Sequence, residues 1–467
     1  MQMWLHWWSV VSPLRAACSR QRTFLWLATA LAGFCVRDDL LGVTSLVRAL
    51  GLAARCYQCL LKCFHSPAVD LSGLTQVWTR QVLRLFPVHR FAGRPVLLGD
   101  GIKIGKCGRH MPAVKHLHQE SDGNTKPEFI MGHSVQVISM LVGAQTSFFA
   151  VPLAARIHEG VKFSNRDQRT LPEKFGELLD SLGLGESFIL VVDAYYACRF
   201  LAQQALAGGS HLLSRVRRNT VAYLPPPPLT EPRGRGRPRL FGEKLKLWSF
   251  FEASPDEWQQ ADSPVYGERG VTIRFLCRDL MWRPLHRIVR FVLVDHPTRG
   301  RLIFIVTDLS MPGIEVIRLY GLRFKIELSF KQALRVIGVY AYHFWMQAMV
   351  KLPRCGGTQH LHRKTDRYRH AVRRKIRAYH LHIQLGLIAQ GILQYLAVTY
   401  PRQVWNSFGS WLRTIRPGIP PSEFVTSAAL RNALPDFLAQ RHTGPAFKKF
   451  LRDNIELGNY DALRLAG

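Results

Sequence analysis

The stretch Leu319–Val336, LYGLRFKIELSFKQALRV, decides how this chain is read. At 100° per residue it winds as one helix with two adjoining faces. Leu319, Leu322, Ile326, Phe330, Ala333 and Ile337 fall in a single sector, an apolar stripe for a core. Tyr320, Arg323, Glu327 and Lys331 fall in the next sector, with Phe324 and Leu328 closing its far flank. Lys325, Ser329 and Gln332 are expected on the outer face. A carboxylate between apolar flanks is costly unless something pairs with it. The arginine one turn earlier offers only about 0.2–0.5 kcal/mol as an i,i+4 partner. Glu327 is therefore expected to belong to a larger constellation.

The composition bounds what that constellation serves. Hydrophobic residues make up 47% of the 467 residues, enough for a large core and two or three domains. Lysine and arginine number 63 against 32 acidic residues, a formal charge of +31, for which a polyanion is the natural partner. Nine cysteines, an odd number in a chain too large to need staples, fit a reduced cytoplasm. CYQCLLKCFH brings Cys56, Cys59, Cys63 and His65 close together. The spacing matches no common zinc module, and on a helix the three thiols share one face and serve as core. The early run FLWLATALAGFCV is about 13 residues, short of the roughly 20 that span a bilayer, and is expected as a buried helix rather than a membrane or secretion segment.

Along the chain, residues 1–90 show apolar positions at helical spacing with interleaved arginines, a helical region that could also bind DNA. From 91 to 217 the pattern changes. RPVLLGDGIKIG, HSVQVISMLVG and TSFFAVPLAARI read as strands, EKFGELLDSLG as a helix and SFILVVDAYYA as a buried strand. ACRFLAQQALAGG and SHLLSRVR add a helix and a strand. Residues 218–309 hold a proline-rich basic linker, expected exposed over Pro225–Pro238, and then three alternating segments of a β-rich insertion. The helix of 310–350 follows, and 351–467 is a basic, helical region.

Two acids end apolar strands early in the sheet: Asp100 in LLGDGIK and Asp193 in LVVDAYYA. Strand ends meet at one sheet edge, so these acids can converge there with Glu327. Three convergent carboxylates form a hard-oxygen site suited to Mg²⁺, and two such ions roughly 4 Å apart serve phosphoryl transfer. Asp295 and Asp308 also end strands, and acids at such positions often cap turns, so the residues alone leave the choice open.

A resemblance narrows it. The chain resembles the DDE transposases of bacterial insertion sequences, of the insertion-sequence-four type, whose third motif runs Tyr, two residues, Arg, three residues, Glu, six residues, Lys. Tyr320, Arg323 and Glu327 match; Leu334 stands where the lysine belongs. Asp193-Ala194-Tyr195 matches the second motif, and Asp100 the first. The resemblance implies an α/β, ribonuclease H-like mixed sheet flanked by helices and interrupted by a β-rich insertion, with helical N- and C-terminal regions. It implies that Asp100, Asp193 and Glu327 hold two Mg²⁺ ions, with Mn²⁺ as a substitute, and that Tyr320 and Arg323 contact a phosphate near the cut. Lys331 is expected to take over the phosphate contact of the missing lysine, with Arg335 as the other candidate. Arg235 and Arg237, in RGRGRPRL, are similar to the core of an AT-hook, and Arg373, Arg374 and Lys375 are expected along DNA backbone. In related enzymes an aromatic residue of the insertion stacks on a flipped base, for which Trp248, Trp258 and Trp282 are candidates here. The implied activity is metal-dependent cut-and-paste transposition on double-stranded DNA, at element ends and target. A homodimer on DNA is expected, in the cytoplasm on the nucleoid and away from any membrane. Two other functions fit the same residues: a degenerate transposase that only binds DNA, and a metal-dependent nuclease without strand transfer.

Overall fold

The computed structural model describes residues 2–119, 127–144, 147–227, 239–252, 255–265, 267–410, 414–416, 419–439, 445–456 and 458. The helical opening is formed by α1 (Gln2–Val11), α2 (Gln21–Val36), α3 (Gly42–Ala49), α4 (Cys56–Phe64) and α5 (Leu71–Leu85). Then come β1 (Arg90–Phe91), β2 (Arg94–Gly105), β3 (Lys115–His118), β4 (Phe129–Ala144), β5 (Ser147–Ile157) and β6 (Val161–Lys162). Next are α6 (Leu171–Asp180), β7 (Ile189–Val192), α7 (Arg199–Ala207) and β8 (His211–Arg215). Strands β9 (Val221–Tyr223), β10 (Lys244–Lys246), β11 (Gln259–Asp262), β12 (Thr272–Trp282), β13 (Arg287–His296) and β14 (Gly300–Val306) precede α8 (Gly313–Leu322) and α9 (Phe324–Gln332). The last described elements are β15 (Gln359–His360), α10 (Asp366–Thr399), α11 (Pro401–Phe408), α12 (Glu423–Asn432), α13 (Leu434–Ala439) and α14 (Ala446–Arg452).

Strand β2 lies between β4 and β7. It pairs antiparallel with β4 and parallel with β7, which pairs parallel with β8; β5 extends the sheet beyond β4. The order β5-β4-β2-β7-β8, with α6 and α7 on the crossovers, is a ribonuclease H-like core, as the strand and helix order of the sequence implies. The three segments expected as an insertion continue this sheet: β14 pairs with β8, and β13 and β12 follow outward. Gly99 and Asp100 point to opposite faces, as neighbours in a strand must. Phe175 of α6 closes over Gly99, where a Cβ would collide with it, and Arg323 meets Asp100. Helices α6 and α9 therefore cover opposite faces at this point.

The helix read over Leu319–Val336 is divided. Arg323 lies at the junction of α8 and α9, and Ala333–Ile337 form a π turn that ends at Gly338 in the left-handed region, φ +65°. Ser329, expected outside, is buried, because α10 covers that side. Gln390 donates to the Ser329 carbonyl at 3.0 Å and to its Oγ at 3.1 Å. Helix α10 itself is continuous across the basic and apolar segments of the sequence, N-capped by Thr365. Its first half exposes the cations and its second half is core, where Gly386 and Gly391 let Val339 and Trp78 approach closely. Among the described residues it is the one helix long and apolar enough to cross a membrane, and its apolar stretch is buried inside the protein.

The opening helices belong to this packing. Trp4 and Trp7 are fully buried, the first stacked on Phe437 of α13 and the second beside Phe447 of α14. Cys56 and Cys63 are core, and burial pushes the Cys63 thiol up to about 12. No group of three or more His, Cys, Asp or Glu among the described residues is arranged to hold a metal as it stands. Of the proline-rich linker, Pro225–Pro227 are exposed; the remainder, with Arg235 and Arg237, lies outside the described residues.

Arg37, 2% exposed, connects the N-terminal helices to the end of the Glu327 helix. It donates to the carbonyls of Ile337 at 2.8 Å and Gly338 at 2.6 Å, and to Ser45 Oγ at 2.9 Å. Burial lowers its pKa to about 10, against the pull of Asp39. Removing it strands several buried carbonyls, each worth about 1–3 kcal/mol unsatisfied. Arg37→Ala is expected to lower unfolding free energy by about 3 kcal/mol in urea titration. A loss below about 1 kcal/mol would show that the π turn needs no cap from this arginine.

Candidate active site

Asp100, Asp193 and Glu327 come from a mid-sheet strand, the end of a parallel strand and a helix far along the chain. Register places Gly99 opposite Val192, so Asp100 and Asp193 follow in step at the same edge. Asp193 precedes the 3₁₀ turn Ala194–Tyr196, yet its side chain makes no capping bond, which frees the carboxylate for other work. Tyr320 Oη donates to Asp193 Oδ1 at 3.3 Å. Arg323 donates to Asp100 Oδ2 at 2.6 Å and to Glu327 Oε1 at 3.4 Å. The guanidinium also lies over the Tyr320 ring, 5.6 Å from its centroid, and that ring rests on Phe304 of β14. Two residues of one helical turn thus gather three acids from three separate segments.

The competing acids are engaged elsewhere. Asp295 pairs with Arg274 at 2.8 Å on the outer strands. Asp308 accepts from the Ser310 amide at 3.0 Å and lies 3.4 Å from Arg94. Neither joins the cluster. Glu327 itself stands more open than the helical wheel implies: its side chain is 47% exposed, with Leu328 and Leu334 also exposed beside it. Lys331 and Arg335 are both solvent-exposed, Arg335 within the π turn.

The electrostatics follow from partial burial. Desolvation raises the Asp100 carboxyl above its usual value and nearby Asp193 adds to this, while Arg323 and the Gly101 amide oppose it. Burial first, and then Asp193, push the Tyr320 hydroxyl up to about 12, so it remains a donor at neutral pH. Burial alone would lower the Arg323 pKa, but Asp100, Tyr320, Asp193 and Glu327 outweigh it and hold the guanidinium charged. Its Nε is buried and has no partner among the described residues, leaving one donor for an incoming oxygen. Two residues not singled out in the sequence also take part. Arg215 ends β8 one residue past Ser214, the register partner of Val192, and its charge reaches Tyr320. Tyr196 hydrogen-bonds Gln136 at 3.4 Å and feels both aspartates. The strand-end logic that selects Asp193 would have selected Arg215 had it been applied to cations.

The other candidates fall apart from this cluster. Arg373 sits over the Phe163 ring at 4.5 Å, while Lys375 turns to His65, 3.0 Å away. Trp282 is buried, Trp248 lies under Arg218 at 4.4 Å, and Trp258 packs on Phe251 at 5.4 Å.

Residues 13–279, more than half of the chain, match the family of DDE superfamily endonucleases. The chain belongs to that family. The matched span includes Asp100 and Asp193 and ends before Glu327. No curated protein sequence matches the chain. Among solved structures it is similar to a piggyBac transposase synaptic complex with hairpin DNA. That likeness has 12% identity and a TM-score of 0.39, over 97% of this chain and 84% of the other.

The donor set of this endonuclease fits a hard divalent cation: carboxylate oxygens only, two of which repel each other when ionised. In the present arrangement Arg323 supplies the positive charge between them. Its ion pair with Asp100 is largely withdrawn from solvent, with side chains 15% and 21% exposed. Breaking such a pair by removing one partner costs on the order of 3 kcal/mol. Arg323→Gln and Asp100→Asn are each expected to destabilise by about that much, and the double variant by at least 1 kcal/mol less than the sum. Additive losses in a denaturation cycle would show that the pair does not couple helix to sheet.

Proposed function

We propose that the protein is a DNA transposase of the insertion-sequence-four type that cleaves element ends and joins them to target DNA by cut-and-paste transposition. The observation that carries this is the joining of Asp100, Asp193 and Glu327 through Tyr320 and Arg323. Asp100, Asp193 and Glu327 would hold two Mg²⁺ ions, with Mn²⁺ as a substitute. When bound, such ions polarise a phosphodiester and favour the deprotonated nucleophile.

The chain's own residues do the rest. Binding substrate exchanges the Arg323 bond to Glu327 for one to phosphate: the guanidinium presents two donors in one plane, and Nε is already unpartnered. Tyr320, protonated and anchored on Asp193, keeps that carboxylate turned to the site and offers its hydroxyl edge to the scissile group. Arg215 adds positive charge at the same edge. Lys331, exposed on α9 one turn beyond Glu327, supplies the point charge that Leu334 cannot. Arg335, also exposed, lies within the π turn rather than on α9. The protein would act as a homodimer that holds two element ends in the cytoplasm.

Cleavage of end-labelled duplex DNA in Mg²⁺ tests this. Glu327→Gln is expected to abolish cleavage and leave DNA binding within about twofold. Lys331→Ala is expected to slow cleavage roughly tenfold, the worth of one charged contact, with Arg335→Ala near wild type. Cleavage untouched in Glu327→Gln would refute the active-site assignment; joined products distinguish a transposase from a plain nuclease.

A further inference from the structure

A second constellation lies outside the carboxylate cluster. The end of α4, the loop after the π turn and the first half of α10 enclose an open cleft of about 810 Å³, within the roughly 300–1,000 Å³ of ligand pockets. Its lining carries Lys62, Arg367, Arg374 and Lys375, with two histidines, and no acid. Trp345 forms part of the wall and is 66% exposed, although tryptophans are highly buried on average.

Trp345 is held in that position. Its neighbours Phe344 and Met346 are buried, the Met346 amide donates to the His110 carbonyl at 2.9 Å, and Tyr379 Oη donates to the Phe344 carbonyl at 2.6 Å. The backbone on both sides is fixed, so the indole is presented outward by the fold. The cations beside it are not offset. Burial and the charge of Arg374 both lower the Lys375 pKa, and its ammonium is directed at His65 rather than at a carboxylate. A surface that gathers uncompensated positive charge around a rigid, open π-face suits one class of ligand: phosphates at regular spacing joined to planar bases. Duplex DNA offers the phosphates but hides the base faces. The tryptophans of the insertion are already covered or packed, which leaves Trp345, among the described residues, the open one beside these cations.

We propose that this cleft binds a single-stranded stretch of DNA, one base stacked on Trp345 and its phosphates paired with Lys62, Arg367, Arg374 and Lys375. The inference rests on the transposase function above, in which cutting and joining leave unpaired strands near the enzyme. Binding of a labelled oligothymidylate to the full chain tests it, measured by fluorescence anisotropy beside an abasic strand of equal length and charge. Stacking predicts that Trp345→Ala weakens oligothymidylate binding roughly tenfold, that Trp345→Phe stays within about threefold, and that abasic-strand binding is the same in all three proteins. Lys62→Ala with Arg374→Ala should reduce the slope of log K against log salt by roughly 1.4, two single-strand phosphates. Trp345 is exposed, so its removal opens no core cavity, and an unchanged circular dichroism melt confirms the fold. Equal oligothymidylate affinity in wild type and Trp345→Ala overturns the proposal, as does an equal loss on the abasic strand. Competition by polyglutamate as strong as by oligothymidylate, indifferent to Trp345, would assign the cleft to an acidic protein instead. Glu327→Gln should bind oligothymidylate as wild type does. Loss of stacking in Trp345→Ala together with persistent cleavage by Glu327→Gln would therefore refute the active-site assignment and keep this cleft.

Discussion

The ion pair between Arg323 and Asp100 is the contact on which the site depends. It joins a helix near residue 320 to a strand near residue 100, and its second arm reaches Glu327 on the same helix. Asp100 cannot be left alone there. Its pKa is raised above 3.8 by burial and by Asp193, so ionising it costs folding stability. That cost is absent well below the unfolded value, grows as pH rises from it to the folded value, and is constant above. Arg323 offsets part of it, the net shift staying upward, and a divalent cation would offset more. In the proposed function, one group of acids supports both a stable resting state and a catalytic one, with the guanidinium exchanging carboxylate for phosphate between them.

A pivot of this kind requires the helix behind it to stay still. Three contacts hold it. Gln390 of α10 grips the Ser329 backbone, His382 bonds the Val339 carbonyl at 3.0 Å, and Arg37 closes the π turn at Ile337 and Gly338. Each comes from the helical regions before and after the sheet. Those regions also share one interior, through the aromatic contacts of α1 with α13 and α14. The helical layers position α8 and α9, and with them Glu327, against the sheet edge.

Much of this was legible in the sequence for local reasons. The strands 94–105, 133–143 and 189–192 are branched, apolar and bounded by glycines or acids, so their type and order could be read without tertiary information. Spacing alone also gathered Tyr320, Arg323 and Glu327 on one face. What escaped depended on partners distant in sequence. Ser329 reads as an outward residue until α10 is known to lie over it. The π turn has no local signature, because a buried arginine 300 residues away caps it. The continuity of β12–β14 with the core sheet is a pairing choice between strands, invisible in any one of them. Arg215 escaped because a cation at a strand end says nothing until the pairing of β8 with β7 brings it beside the acids.

In the proposed function Asp100, Asp193 and Glu327 act as one cation-binding unit. Titration of Mn²⁺ into the protein, followed by electron paramagnetic resonance of the free ion, tests it most directly. Wild type is expected to withdraw Mn²⁺ from solution, and Asp100→Asn, Asp193→Asn and Glu327→Gln each to weaken this at least tenfold. Mn²⁺ binding unchanged in Asp100→Asn and Asp193→Asn would contradict it.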